Sequence, residues 1–174
     1  TNISYVGDFE ATCIAVDGPH NLYVAEDFIV THNTFQMLEW AKFVHRKVGK
    51  PVLILGPLGA ADQMNTIESP KFGYTTQFIE SPEDIIDGIN ITNYEKLHKF
   101  DPSVFGGIAL DESSCLKNDK GKYSNLIRDS FRHCAFKLSA SATFAPNDLT
   151  EIGAQADYLG VMKPEEMKAM FFTH

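Results

Sequence analysis

Along the first 31 residues the apolar positions come in short runs broken by turn formers: Ala11 to Val16, the turn Asp17-Gly18-Pro19, then Leu22 to Ala25 and Phe28 to Thr31. Runs of this length and spacing predict the strands of a small β module. From Phe35 the period lengthens to that of a helix, with Met37, Ala41, Val44 and Val48 on one face and Gly49 as its stop. The apolar run Pro51 to Leu55 predicts a buried strand ending at Gly56-Pro57. A helical stretch around Ala60 to Ile67, a strand near Thr75 to Ile79, a strand at Ile89 to Thr92 and a helix from Tyr94 follow. Next come a strand at Gly107 to Leu110, a helix near Ser124 to Phe131 and a strand at Ala135 to Ser139. Apolar strands alternating with helices predict an α/β fold over residues 34–174, a parallel sheet covered by helices on both faces, preceded by a small all-β segment.

Composition narrows the class. Apolar residues at 44% and charged residues at 22% suit a folded globular chain, and a length of 174 residues allows one domain or slightly more. The longest apolar stretch is far short of a membrane span, and no secretory signal opens the chain, so a cytoplasmic protein without membrane contact is expected. Its first residue is Thr, which reads as a fragment or as a chain with something removed upstream. Cys13, Cys115 and Cys134 are odd in number and form no CxxC pair, against a disulfide framework or a zinc ribbon. The net charge of −8 is unevenly spread: residues 1–33 hold Asp8, Glu10, Asp17, Glu26 and Asp27 and no Lys or Arg. That shift suggests two pieces of different origin. An acidic chain attracts a phosphate backbone only through local patches, with Lys42, Arg46, Lys47 and Lys50, then Lys117, Lys120 and Lys122, as candidates against the plainer reading of solvated faces.

The chemistry of the first piece sits at Thr31-His32-Asn33-Thr34. An Asn amide can attack its own carbonyl and cut the chain after it, a neighbouring His can protonate the leaving amine, and the next hydroxyl can accept an acyl group. Asn33 with Gln36 is equally a helix-capping box. The strings Cys13-Ile14-Ala15-Val16-Asp17, His20-Asn21-Leu22-Tyr23-Val24 and Phe28-Ile29-Val30-Thr31-His32-Asn33 together resemble the C-terminal end of inteins. That resemblance implies Asn33 as the cyclising residue, His32 as its helper, His20 as the assisting upstream histidine and Thr34 as the first extein residue. Cys13 stands where many inteins have Asp. In one intein class a Cys there is the first nucleophile and works with a Thr just before the terminal His, as Thr31 is; a buried structural Cys is the other reading.

In the second piece, Asp111-Glu112 follows the apolar strand Gly107-Ile108-Ala109-Leu110, which puts two acids at the strand end where open α/β sheets bind ligands. One carboxylate there can hold magnesium while the next orients or deprotonates an attacking water. With Leu55-Gly56-Pro57-Leu58 and Gln63, Ile91-Thr92-Asn93-Tyr94-Glu95, Leu116-Lys117-Asn118, Leu138-Ser139-Ala140-Ser141-Ala142-Thr143 and Ala145-Pro146-Asn147-Asp148, the order and spacing resemble the first RecA-like domain of superfamily 2 helicases, specifically bacteriophage DEAD-like helicases related to Swi/Snf translocases. The resemblance implies that Asp111 and Glu112 are motif II and that Ser141, Ala142 and Thr143 form motif III, linking ATP to nucleic acid. Pro57-Leu58 and Thr92-Asn93-Tyr94 would lie toward a DNA track. Phe144 stands where that motif usually continues with Pro. His45, His98, His133 and Trp40 match no motif and read as surface or packing residues.

Both resemblances meet at Thr34. The helicases carry a phosphate loop GxGKT directly before the helix matching Phe35 to Val48; here Thr34 stands at the Thr, and His32-Asn33 replaces Gly-Lys. An intein inserted between Lys and Thr accounts for both facts, with Thr34 first a splicing nucleophile and later a magnesium ligand. The expected organisation is a C-terminal intein segment at residues 1–33 and a RecA-like P-loop helicase domain at 34–174, lacking the Walker A Gly-Lys and truncated at its C-terminus. The spliced parent would use ATP and magnesium to move on nucleic acid, DNA for preference. Its missing partners would be the N-terminal intein half and the N-terminal helicase segment, and a second RecA-like domain would follow His174. The alternatives are a split intein acting in trans, another P-loop NTPase such as a packaging motor, or an inactive nucleic-acid-binding module.

Overall fold

The computed structural model describes residues 23–24, 30–31, 33–113, 116, 122–141 and 152–171. The chain divides into two compact units, Thr1–His32 and Asn33–His174. In the first, β1 (Tyr23–Val24) pairs antiparallel with β2 (Val30–Thr31). The strand expected at Ala11 to Val16 lies outside the described residues.

The second unit opens with α1 (Asn33–Val48), whose buried stripe is Thr34, Met37, Leu38, Ala41 and Val44. Val48, expected on that stripe, is partly exposed because the helix ends there: Gly49 takes φ +66° and its N–H closes on the His45 carbonyl at 2.8 Å. A left-handed residue at this point is cheap only for glycine. Five parallel strands follow: β3 (Val52–Gly56), β4 (Thr76–Phe78), β5 (Ile89–Asn93), β6 (Gly107–Leu110) and β7 (Phe136–Ser139), in the order β4-β5-β3-β6-β7. The first strand in sequence is the central one, paired in register with β5 (Ile54↔Ile91) and β6 (Ile54↔Ala109).

Alternation along the strands fills two cores. Val52 and Ile54 of β3, with Ala109 of β6, meet Met37, Leu38, Ala41 and Val44 of α1. Leu53, Leu55, Ile108 and Leu110 face the other way, onto Ile127, Phe131, Ala154 and Tyr158. Burying each such Leu or Ile contributes about 2 kcal/mol. β5 is fully buried although it carries Asn90 and Thr92, because both are satisfied nearby. Asn90 accepts from the Ile86 N–H at 2.9 Å, and Thr92 donates to the Ile79 carbonyl at 2.7 Å.

Between the strands, the helical stretch after β3 runs as α2 (Leu58–Gln63), a π turn (Met64–Glu68) and α3 (Ser69–Lys71). Pro70, which has no N–H for the carbonyl four residues back, sits just past the widened turn. The helix expected from Tyr94 is a 3-10 helix, Tyr94–Lys99, opened by the Asn93 side chain accepting from the Lys96 N–H. α4 (Lys122–Ser130) precedes β7, and α5 (Ile152–Leu159) and α6 (Pro164–Phe171) follow it. The last two are additional to the helices expected from the pattern. Among the described residues no helix is long and apolar enough to cross a membrane.

Candidate active site at the end of the parallel sheet

The ladder between β3, β6 and β7 continues one step past the strands. Asp111 N–H donates to the Leu55 carbonyl at 2.7 Å, Ala140 N–H to the Leu110 carbonyl at 2.8 Å, and Ser113 N–H to the Ala140 carbonyl at 2.8 Å. Asp111 therefore leaves the centre of the sheet at its C-terminal end, in register with Gly56. A Cβ on Gly56 would stand 3.4 Å from Asp111 Cβ and 3.6 Å from its Oδ2, so the glycine leaves the carboxyl its space. The Asp111 carboxyl is pushed up to about 6, first by burial and then by the charge of Glu112.

Glu112 has φ +52°, the left-handed region that costs a residue with a Cβ about 1–2 kcal/mol. Its neighbours hold it there. The buried Tyr94 hydroxyl donates to the Asp111 carbonyl at 2.6 Å, and the Ser113 bond to Ala140 closes the other side. On the far flank of Ser113, the buried Gln155 of α5 donates to the Ser113 carbonyl at 3.0 Å.

Thr34 is buried in the first turn of α1. That helix packs across β3 and β6 and is joined to the start of β3 by only Gly49, Lys50 and Pro51, so it runs against the strands. Its N-terminal turn, with Asn33 and Thr34, consequently lies toward the sheet end that carries Asp111. Asn33 is the first helical residue, inside the helix that the alternative capping-box reading would have it cap. A carboxylate and a hydroxyl at one end of a sheet are hard oxygen donors of the kind magnesium takes, mostly through water. Among the described residues no three His, Cys, Asp or Glu side chains gather around a common point.

The other expected residues are less centrally placed. Ser141 is partly buried just beyond β7. Cys13, His20, His32, Ala142 and Thr143 lie outside the described residues, as do Lys117 and Lys120. Lys42, Arg46, Lys47 and Lys50 fall in the second half of α1 and just after it, toward the sheet end opposite Asp111. There Lys42 bonds Glu39, Lys47 lies over the Phe43 and Phe136 rings, and Lys50 donates to the Ser103 carbonyl at 3.3 Å. A cleft of about 320 Å³ lined by Arg128, Arg132, Lys137, Asp157, Lys163 and Glu166 carries both signs of charge and contains none of the expected site residues. Cys134 is a free, half-buried thiol.

The raised Asp111 carboxyl has a consequence for stability. The folded chain keeps this proton to about pH 6, whereas the unfolded chain releases it near 3.8. Stability is therefore lost as pH rises through that window and stays lower above it. Asp111→Asn removes the penalty, and the variant is expected to gain about 2–3 kcal/mol over wild type at pH 8 and little at pH 4, read from urea midpoints.

A central parallel sheet with helices on both faces and an acid pair at its C-terminal end is an α/β arrangement consistent with a RecA-like fold. No family model matches the chain, and no curated protein does. It is similar to the crystal structure of the UvsW helicase from bacteriophage T4, with a TM-score of 0.56 over 73% of this chain and 48% of that one, at 16% identity. The chain thus spans about half the length of that helicase, and the likeness is one of fold.

Proposed function

We propose that residues 34–174 are most of the first motor domain of an ATP-dependent helicase or translocase, and that residues 1–33 are the C-terminal segment of an intein interrupting its phosphate loop. The observation that carries the motor reading is the Asp111–Glu112 turn at the end of the central strands, with Asp111 buried and Glu112 held at positive φ. In this reading Asp111 and the Thr34 hydroxyl hold magnesium, Glu112 orients or deprotonates the attacking water, and Ser141, Ala142 and Thr143 connect that turn to the nucleic-acid track. Magnesium supplies the charge that offsets the ATP phosphates. The donor chemistry at Asp111 and Thr34 fits the metal. The phosphates are another matter: His32-Asn33 offers neither the glycine cradle nor the lysine, so the chain as it stands does not hold them. In the intein reading, splicing by Asn33, with His32 and His20 assisting and Cys13 either the first nucleophile or a structural residue, would join Thr34 to the missing Gly-Lys.

The nucleic acid is DNA for preference, its track passing the exposed Pro57-Leu58; Thr92, Asn93 and Tyr94, expected toward that track, are buried and can only support it from beneath. With a net charge of −8 and the main basic cluster of α1 toward the opposite end of the sheet, binding is expected to be weak and strongly salt-dependent. Two or three phosphate contacts would lose about tenfold in affinity between 50 and 200 mM salt. Fluorescence anisotropy with labelled single strands at the two salt concentrations measures this. Tight binding that survives high salt, or none even at the lower concentration, would contradict the reading.

A further inference from the structure

Gln155 lies in α5, outside every motif that the sequence pattern picks out, yet it is buried at 3% exposure. Its amide spans two strand ends. Nε2 donates to the Ser113 carbonyl at 3.0 Å and to Ser113 Oγ at 3.1 Å, and Oε1 accepts from Ser139 Oγ, which itself lies 2.8 Å from Ser113 Oγ. Ser113 follows the Asp111–Glu112 pair directly, and Ser139 is the last residue of β7, two before Ser141. An amide offers two donors and an acceptor together without charge, where a hydroxyl offers a single donor. Glutamate would turn a carboxylate toward the Ser113 carbonyl, and methionine would remove the amide from that carbonyl and from both hydroxyls, which keep their 2.8 Å contact with each other.

α5 itself is anchored elsewhere. The buried Tyr158 hydroxyl reaches the Ile108 carbonyl at 3.2 Å and the Leu138 carbonyl at 3.3 Å, and Gly153 gives Pro164 of α6 a close seat, where an added Cβ would meet it at 3.2 Å. Gln155 is thus an arm from a fixed helix to a turn whose central residue, Glu112, is in a conformation it does not favour alone.

We propose that Gln155 is a positioning residue that clamps the Asp111–Glu112 turn to the end of β7. As a role in catalysis this rests on the motor reading above. The test is amide hydrogen exchange on the full chain, comparing wild type with Gln155→Met. The expected result is about tenfold faster exchange at the Ser113 and Ala140 amides with β3 and β5 amides unchanged, the mark of a local opening. Unchanged exchange at Ser113, or a uniform acceleration across β3, β5 and β6 as from lost packing, would overturn the proposal. Should Gln155→Met not fold, Ser139→Ala removes the hydroxyl that joins β7 to both Gln155 and Ser113, and the same two amides must respond.

A second arm uses the full spliced parent, with both motor domains, as the spliced product. There Gln155→Met should lower kcat for ATP about tenfold to a hundredfold with KM unchanged, since the clamp sets geometry and does not touch nucleotide. No turnover in the wild-type spliced product would refute the motor function, while the exchange data would still decide the clamp.

Discussion

Mixed with a matching N-terminal intein half, the chain is expected to release a fragment whose first residue is Thr34. Cyclisation uses the Asn33 side-chain amide as nucleophile on its own carbonyl, breaks the bond to the Thr34 nitrogen, and needs a proton for that nitrogen as it leaves. Asn33→Ala removes the nucleophile and should abolish release. His32→Ala removes the proposed proton donor and should slow it by roughly a hundredfold or more. If Asn33 is only the first helical residue, Asn33→Ala changes stability little and every mixture keeps an intact chain. Intact-mass measurement after incubation separates the two outcomes. A wild-type chain that never yields a Thr34 N-terminus with several related N-terminal halves would count heavily against the intein assignment.

The parallel sheet was legible because β3 and β6 are apolar runs of five and four residues set off by glycine and proline, while β4, β5 and β7 interleave polar with apolar positions and showed more weakly. The acid pair was legible for the same reason: Asp111 and Glu112 follow β6 directly, and the end of a strand fixes where they emerge. What holds them was not. The bond from the Tyr94 hydroxyl to the Asp111 carbonyl spans 17 residues, and the amide of Gln155 reaches Ser113 across 42. A glutamine between Ala154 and Ala156 reads as the solvent side of a helix, and only its distant partners make it core. The helix itself was hidden as well, since Ile152–Leu159 carries a glycine at its second position and four buried residues including the glutamine, leaving no clean apolar stripe. At Tyr94 the pattern predicted the right place and the wrong helix. Six residues closed by Phe100 in an extended conformation, with Asp101-Pro102 next, leave room for 3-10 turns and no more.

ATP turnover should divide this chain from its spliced product completely. Alone, the chain is expected to hydrolyse no ATP above background, with or without single-stranded DNA, although Asp111 and Glu112 are both in place. Phosphoryl transfer needs the γ-phosphate held in line, and positioning supplies much of the rate. In the proposed loop that hold comes from glycine amides and a lysine, for which His32-Asn33 is no substitute. In the proposed spliced parent, with Gly-Lys before Thr34 and both motor domains in place, single strands should stimulate turnover. Glu112→Gln, which keeps the shape of the side chain and removes its basicity, should then reduce kcat by roughly a hundredfold to ten-thousandfold, the usual range for losing a general base. A coupled phosphate-release assay on both forms reads this directly. DNA-stimulated hydrolysis by the unspliced chain, lost in Glu112→Gln, would mean that its phosphate site is already complete and that no intein interrupts it.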